Sequence, residues 1–230
     1  MMKLHTLVLA TGAVSVLSAP GQAQLTDPVI WDNGDCTSSY PFHGALSQLD
    51  VDDPFEAEAA DDFTLAEDYL LTDVHWQGGY YYADPVPGET TDFRISIYAD
   101  DGAFSPGSLL HRSIVSGGGS NEPPEPEEGA LYDYWGYVDP YPLEANVIYW
   151  ISIQALLNAP PMWAWAFVDE VPGQLDEAYW RSAFFGYPDW TPMTNAYGEP
   201  YDMSFKLTGV PAPTSWLLLG MAGLITQRRR

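Results

Sequence analysis

Apolar and polar residues alternate along several short segments of the chain, and turn residues separate these segments. Residues 93–98 read Phe-Arg-Ile-Ser-Ile-Tyr. Because successive side chains of a β-strand point to opposite sides, Phe93, Ile95 and Ile97 should face a core. The acidic stretch that follows ends in Gly102, which favours a turn. This segment is therefore predicted to be a strand with one buried side.

Two further segments predict strands of a different kind. Residues 147–153 are apolar on both sides near their centre, which indicates a central strand. Residues 162–168 alternate large and small side chains, so Trp163, Trp165 and Phe167 should fill a core. Weaker strand candidates are 29–31, 62–65, 71–76, 109–115, 132–138, 179–185 and 203–207. About ten short strands and few helix signals predict an all-β fold, a jelly-roll-like β-sandwich.

Residues 116–129 differ from the alternating segments around them. They contain three consecutive glycines and then a mixture of glutamates and prolines. Such a composition cannot fill a core, so a flexible loop between two strands is predicted. Neither half of the chain has enough strands to form a sandwich alone. Residues 24–209 are therefore predicted to form one domain.

The N-terminal segment, residues 1–23, has the order of a secretory signal peptide. Lys3 precedes a mostly apolar run over 4–17, and small residues follow up to Ala23. This order predicts an apolar signal helix that is cleaved near Ala23 by signal peptidase. The alternative is a buried N-terminal helix.

The C-terminal segment, residues 210–230, combines a proline motif, an apolar run over 216–225 and three terminal arginines. Arginines after an apolar run favour the cytoplasmic side of a membrane. A helix over 216–227 would be about 18 Å long at 1.5 Å per residue, whereas the hydrocarbon core is about 30 Å thick. The segment therefore predicts a hydrophobic helix that acts as a transient signal rather than a lasting transmembrane anchor.

This three-part order resembles the PEP-CTERM sorting signal. The residues that carry the resemblance are Val210, Pro211, Ala212, Pro213, Trp216, Arg228, Arg229 and Arg230. Ala212 stands where the family usually has glutamate, which lowers the processing efficiency we expect. The resemblance implies a Gram-negative source and recognition by exosortase, a membrane protease-transpeptidase. It also implies transient tethering to the inner membrane, followed by delivery to the cell surface or a biofilm matrix.

The middle of the chain also has a familiar pattern. Residues 60–65, 74–80, 93–100 and 149–153 resemble uncharacterised β-sandwich domains of other proteins that carry PEP-CTERM signals. This resemblance implies a fold and no activity, because one fold serves many functions.

The predicted domain is strongly acidic. All 32 acidic residues of the chain lie in 24–209, together with only four of its eight lysines and arginines, so the formal charge there is 4 − 32 = −28. Phosphate binding requires clustered cations, which excludes nucleic acid as a partner. Anionic lipid surfaces are disfavoured for the same reason, so contact with a membrane is expected only through the tail.

Pairs of aspartates provide candidate metal ligands. Asp61 with Asp62, and Asp100 with Asp101, offer the carboxylate oxygens that Ca²⁺ prefers. No EF-hand pattern accompanies them. The alternative is that these acids bond backbone N–H groups or form a solvated acidic surface. No cofactor is expected other than this possible Ca²⁺.

Exposed aromatic side chains provide candidate stacking surfaces for sugars. The candidates for carbohydrate binding are Trp76, Tyr80, Tyr82 and Trp135. The alternative is that these rings pack in the core or along strand edges, as most aromatic residues of β-sandwiches do. An exopolysaccharide is the partner that this reading implies.

Signals for catalysis are weak. The histidines are isolated in the sequence, and no Gly-x-Ser-x-Gly or His-Glu-x-x-His pattern occurs. Cys36, the one cysteine, has no nearby base partner. We therefore expect no enzyme but an exported surface or matrix protein with a structural or interaction role. Two alternatives remain: a calcium-assisted carbohydrate-binding module and, with less support, a hydrolase.

Overall fold

The structure is a computed structural model that describes residues 27–37, 41–50, 55–81, 92–116, 119–122, 127–168 and 176–212. Most of these residues belong to β-strands, and one short helix, α1 (Met193–Tyr197), accompanies them. The strands form two sheets of seven strands each. The predicted all-β class is therefore confirmed.

Sheet I is built around one long strand, β5 (Tyr69–Tyr81). Strand β9 pairs along one side of β5, while β14 and β11 follow each other along its other side. The outermost strands of this sheet are β8, β1 and β2. Besides β5, the strands are β1 (Val29–Asp32), β2 (Gly44–Leu46), β8 (Gly119–Ser120), β9 (Tyr132–Leu143), β11 (Met162–Ala166) and β14 (Phe205–Pro211).

Sheet II has the strand order β13-β12-β4-β3-β10-β6-β7, with a further direct pairing of β4 with β10. Only the short β3 pairs in parallel with β10; the other pairings described are antiparallel. The strands are β3 (Gln48–Leu49), β4 (Glu56–Thr64), β6 (Asp92–Asp100), β7 (Pro106–Val115), β10 (Ile148–Leu156), β12 (Tyr179–Ser182) and β13 (Tyr187–Pro192). The central position predicted for residues 147–153 is thus confirmed by β10.

The facing sides of the two sheets enclose one aromatic-rich core. Phe93, Ile95 and Ile97 of β6 lie in it, as their alternation predicts, together with Trp163 and Trp165 of β11. Trp163 and Trp165 are fully buried. The removal of these large apolar surfaces from water makes the main favourable contribution to the free energy that holds the two sheets together.

Part of the outer side of sheet II is a polar network centred on a buried carboxylate. Glu58 is fully buried there and accepts hydrogen bonds from Tyr98 Oη at 2.6 Å and Ser152 Oγ at 2.9 Å. Arg181 forms an ion pair with Glu58 and lies 4.3 Å from the centroid of the Trp190 ring. Burial, together with the charge of Glu58, raises the pKa of Tyr98 to about 12. The Glu58 carboxylate is thus bonded entirely within the protein, while Arg181 remains partly exposed.

The range 116–129, predicted to be a flexible loop, contains a short strand. Gly119 and Ser120 form strand β8, which pairs with Trp135 and Tyr134 of β9. The absence of side-chain bulk at Gly119, which suggested a loop, is what lets this segment lie against the Trp135 ring. The signal segment 1–23 lies outside the described residues.

Candidate ligand-binding face

The outer side of sheet I carries a row of functional side chains that crosses four strands. In the pairing register, Asp32 of β1 faces Lys206 of β14, Lys206 faces His75 of β5, and His75 faces Trp135 of β9. Directly opposed residues of antiparallel strands have Cβ atoms about 4.5–5.5 Å apart. Four different strands therefore place these side chains in one continuous band.

A second set of side chains lies beside this row and is fixed by hydrogen bonds. Gln77 Nε2 donates to Asp133 Oδ1 at 2.9 Å, and Asn121 Nδ2 donates to Asp133 Oδ2 at 2.8 Å. Gln77 Oε1 accepts from Cys36 N at 2.7 Å and from Ser204 Oγ at 2.8 Å. Because both ends of the Gln77 amide are bonded, its orientation is set by the fold.

These side chains surround an open depression of about 350 Å³. This volume is within the usual range of small-ligand sites, about 300–1,000 Å³. Polar and aromatic residues share its lining. The residues that line it are Asp35, His75, Trp76, Gln77, Asp133, Tyr134, Trp135, Ser204, Phe205 and Lys206.

The indole of Trp135 is positioned by a glycine on the neighbouring strand. A Cβ atom at Gly119 would lie 1.8 Å from the Trp135 ring, so only glycine permits this close contact. The ring rests on the Gly119 backbone and remains partly exposed. A tryptophan held in this way presents an apolar surface with little loss of side-chain entropy on binding.

A second aromatic ring continues the surface along β9. Tyr137 lies two residues after Trp135, so both side chains are on the same side of the strand, about 7 Å apart along it. Tyr137 is 71% exposed. Its register partner on β5 is Asp73. The face therefore offers two neighbouring rings beside hydrogen-bonding groups.

The charges on this face are unevenly distributed. Lys206 Nζ lies 2.8 Å from Asp35 Oδ2 and 3.6 Å from Asp32 Oδ2. Partial burial opposes the charge of Lys206, but the hydrogen bond and the negative charge of Asp35 outweigh it and raise the pKa of the lysine. His75 Nε2 lies 2.9 Å from Asp73 Oδ2. Lys206 is therefore a charged side chain already paired within the protein.

The four residues predicted to bind carbohydrate do not lie together. Trp135 is on the open face described above. Trp76 and Tyr80 are 2% and 0% exposed and pack in the core between the sheets, so their assignment is wrong. Both occupy the inward positions of β5, whose outward positions hold His75 and Gln77. Tyr82 lies outside the described residues.

Sequence reasoning missed His75, Gln77, Asp133 and Lys206. The signal for the first two was present, because the polar residues at 73, 75 and 77 alternate with apolar ones along β5. The proximity of Lys206 and Asp133 to them depends on pairing between strands distant in sequence. Such pairing has no local signal.

Asp61, the first predicted metal ligand, uses both of its carboxylate oxygens in hydrogen bonds within the protein. Asp61 Oδ2 accepts hydrogen bonds from Met203 N at 2.6 Å and Asn33 Nδ2 at 2.8 Å, and its Oδ1 accepts from Asp62 N at 2.9 Å. Burial and the charge of Asp202 nevertheless raise the pKa of Asp61. Asp61 thus connects β4 to the segments beside β1 and β14.

Asp62 points to the other side of β4. Burial is the main cause that raises its pKa to about 7, and the charges of Asp176, Asp202 and Asp100 add to it. Its Oδ2 is buried, and no hydrogen-bond partner for it occurs in the described part of the chain. The pKa of Asp202 is likewise raised to about 6, first by burial and then by Asp176 and Glu177.

Asp100 and Asp101 lie at the turn between β6 and β7. Asp100 Oδ2 accepts from Gly102 N at 2.8 Å, and Asp101 accepts from Ala103 N at 2.7 Å and Ser105 Oγ at 2.7 Å. Among the described residues, no group of three or more histidine, cysteine or acidic side chains is arranged to hold a metal ion. The calcium site therefore stays a prediction.

The predicted sorting signal begins inside the sheet. Val210 and Pro211 belong to β14 and pair with Leu70 and Tyr69 of β5, so the strand extends beyond the boundary predicted at 209. Ala212 N donates to Asp68 O at 3.0 Å. Pro213, Trp216 and Arg228–Arg230 lie outside the described residues. In the ranges that the structure describes, no helix is long and apolar enough to cross a bilayer.

The fold and the face define an all-β sandwich with one open polar side that carries aromatic rings. Residues 43–208, well over half of the chain, match a family described as a domain of unknown function (DUF7901), and the chain belongs to this family. No curated protein and no solved structure matches the chain.

Proposed function

We propose that the domain binds polysaccharide without catalysis, as part of a protein exported to the cell surface or extracellular matrix. The observation that carries the proposal is the pair of partly exposed rings, Trp135 and Tyr137, on an open polar sheet face. The pyranose rings of sugars present C–H groups that stack on such aromatic surfaces. A jelly-roll-like sandwich, the finer fold that we infer, provides a flat or concave sheet for a chain-like ligand.

The polar groups around the rings suit the hydroxyl groups of sugars. Carboxylates accept hydrogen bonds, the NH2 group of an amide donates them, and an imidazole can do either. Asp133, Gln77 and His75 supply these three kinds of group beside Trp135. Since Gln77 and Asp133 are already oriented by the protein, little ordering is needed when a ligand binds.

Export is proposed from the two ends of the chain. Signal peptidase would remove residues 1–23, and an exosortase would recognise the PEP-CTERM-like tail at 210–230. The protein would be tethered briefly to the inner membrane and then reach the surface or a biofilm matrix, where an exopolysaccharide is the available ligand. The face and the destination therefore support each other.

Binding is tested with two aromatic variants and one matched control. Trp135→Ala and Tyr137→Ala remove the rings of the face, whereas Phe184→Ala removes a ring that is 63% exposed next to sheet II. We expect the purified protein to be retained on immobilised matrix polysaccharide, and the first two variants to lose at least about tenfold in affinity, which corresponds to 1.4 kcal/mol. Equal affinity for all four proteins would refute the proposed face.

Export is tested separately. Cell fractionation with and without exosortase should change the location and the mass of the protein. An unchanged location and mass in both strains would rule out the sorting signal while leaving the binding face untouched.

A further inference from the structure

We infer that the preferred ligand of this face is a polysaccharide with free amino groups, that is, a polycationic glycan rather than a neutral or acidic one. The inference rests on the proposed function and names the chemical class of its ligand. The observation that carries it is the balance of charges around Trp135.

The face is acidic around its rings. Asp32, Asp35, Asp73 and Asp133 lie on it or at its rim, and within the described residues Lys206 is the only lysine or arginine on this side of the sandwich. Lys206 is held by Asp35 and Asp32 and adds no unpaired positive charge. An anionic sugar would therefore meet no available cation and several carboxylates.

Two of these carboxylates flank the row of His75 and Trp135. Asp133 is bonded by the neutral amides of Gln77 and Asn121, which leave its formal charge uncompensated. Asp73 contacts His75 through Oδ2, while its Oδ1 is buried and has no hydrogen-bond partner in the described part of the chain, so Asp73 acts on a ligand through its charge and not by direct contact of that oxygen. The two acids lie on opposite sides of Trp135, because Asp73 pairs with Tyr137 and Gln77 pairs with Asp133.

An ammonium group fits such a site in two ways. It is attracted by carboxylates, and it is attracted by the negative face of an indole or phenol ring, most strongly by tryptophan. Trp135 and Tyr137 supply the rings, and the aspartates supply the charges. A sugar that carries an amine can use both interactions while its ring stacks.

The charge of the whole domain acts in the same direction. Residues 24–209 carry 32 acidic and four basic residues, a formal charge of −28. Such a field repels uronate or sulfate groups and attracts a polycation from a distance. A neutral glycan would gain nothing from it.

Basic peptides share the positive charge of such a glycan but lack its hydroxyl groups and its stacking surface. The ammonium groups of a lysine-rich segment could contact the two rings and the aspartates, but such a segment has no hydroxyl groups for Gln77 and His75 and no pyranose ring to stack on Trp135. The polar and aromatic parts of the face therefore favour a glycan.

The test compares three ligands of equal length by calorimetric titration of the purified protein. They are a glucosamine hexasaccharide, the fully N-acetylated hexasaccharide and hexalysine, at about pH 5.5 so that the amines are protonated. We expect the glucosamine oligomer to bind at least about tenfold more tightly than the acetylated one in 0.1 M salt. This difference should shrink in 1 M salt, where the Debye length falls from about 10 Å to about 3 Å.

Charge variants connect the preference to the face. Asp133→Asn should lower the affinity for the glucosamine oligomer several-fold more than that for the acetylated oligomer, because asparagine keeps an acceptor oxygen for a sugar hydroxyl but loses the charge that attracts an amine. Asp189→Asn removes the same charge from an exposed position on β13 of sheet II and should change neither.

The outcomes separate the two proposals. If the acetylated oligomer binds as tightly as the glucosamine oligomer, the amine preference is wrong and polysaccharide binding stands. If hexalysine binds as tightly as the glucosamine oligomer, the face recognises cations in general, and the inference is overturned. If no oligosaccharide binds at either salt concentration, the proposed function itself fails.

Discussion

The outer sides of the two sheets are both lined with polar side chains, yet they differ in what those side chains face. On sheet II, Glu58 is fully buried and bonded by Arg181, Tyr98 and Ser152. On sheet I, Trp135 and Tyr137 remain accessible beside an open depression. The same alternation of polar and apolar residues thus produces one side with a buried network around Glu58 and one side whose rings and polar groups are accessible to a ligand.

The difference follows from where the few cations of the domain lie. Arg94, Arg112 and Arg181 are all on sheet II, where they bond Glu56, Ser96 and Glu58 respectively. Among the described residues, Lys206 is the one lysine or arginine of sheet I. Two of these arginines pair with glutamates of sheet II, whereas the lysine of sheet I is held by two aspartates and leaves the other acids of that face without a cation. Polarity alone therefore does not indicate a binding site; unpaired charge and exposed rings do.

The largest effect that would test this comparison is the loss of Glu58. Glu58→Ala leaves Arg181 without its partner in a largely closed network, and removing one member of such a pair costs about 3 kcal/mol or more. Denaturant unfolding of the variant should show this loss. Glu199→Ala, at an exposed position beside α1, is the control and should stay within about 0.5 kcal/mol of the parent. A loss below about 1 kcal/mol for Glu58→Ala would mean that sheet II is not stabilised by this network.

A smaller effect concerns the pH dependence of stability and Asp62. Its pKa of about 7 in the folded protein exceeds the value of about 3.9 expected in the unfolded chain. The folded state therefore keeps a proton that the unfolded state releases, and this contribution is complete below about pH 4 and is lost as the pH rises through 7. Asp62→Asn removes the contribution of this residue, leaves those of Asp61 and Asp202, and should stabilise the protein at pH 8 by about 1–2 kcal/mol, with little effect at pH 4.

The control for Asp62 is Asp189→Asn, which removes one exposed charge from the same sheet. If repulsion among the many surface acids explains the effect, the free energy of unfolding at pH 8 will rise equally in both variants. A gain confined to Asp62→Asn is the result that we expect from thermal unfolding at the two pH values.

The support of Trp135 by β8 predicts a still smaller effect, on binding rather than folding. Gly119→Ala places a methyl group where the indole now lies and must displace the ring. We expect an affinity loss of about tenfold or less for the glycan, about 1 kcal/mol. Ser120→Ala, on the same two-residue strand, should bind normally; equal losses for both would show that β8, rather than the ring position, is disturbed.

The smallest effect concerns Lys206. Lys206→Gln breaks a partly exposed ion pair, and such pairs contribute about 0.2–1 kcal/mol to stability. The same variant removes the lone cation of the face, so its affinity for the glucosamine oligomer should rise slightly while stability falls slightly. Titration and unfolding of the same preparation measure both. A fall in affinity would indicate that Lys206 contacts the ligand directly.

The sequence predicted the strands more reliably than the site. The inward residues of β6 and β11 were identified because period-two alternation is a local property of the chain. Trp76 and Tyr80 were misassigned because an aromatic residue in a strand has the same local signal whether it faces a core or solvent. The row from Asp32 to Trp135 joins residues from four strands, and only the long-range pairing of β1, β14, β5 and β9 brings them together.

Strand β14 has a mechanical consequence. It is hydrogen-bonded to β1 on one side and to β5 on the other, and residue 212 follows it directly. Since the beginning of β1 pairs with Thr208, near the C-terminal end of β14, the chain enters and leaves this pair of strands at the same end. Tension between residues that precede β1 and residues that follow 212 would therefore open the β1–β14 hydrogen bonds one after another, starting from that end. Strand β1 is thus the part of the sheet that such a pull would detach first.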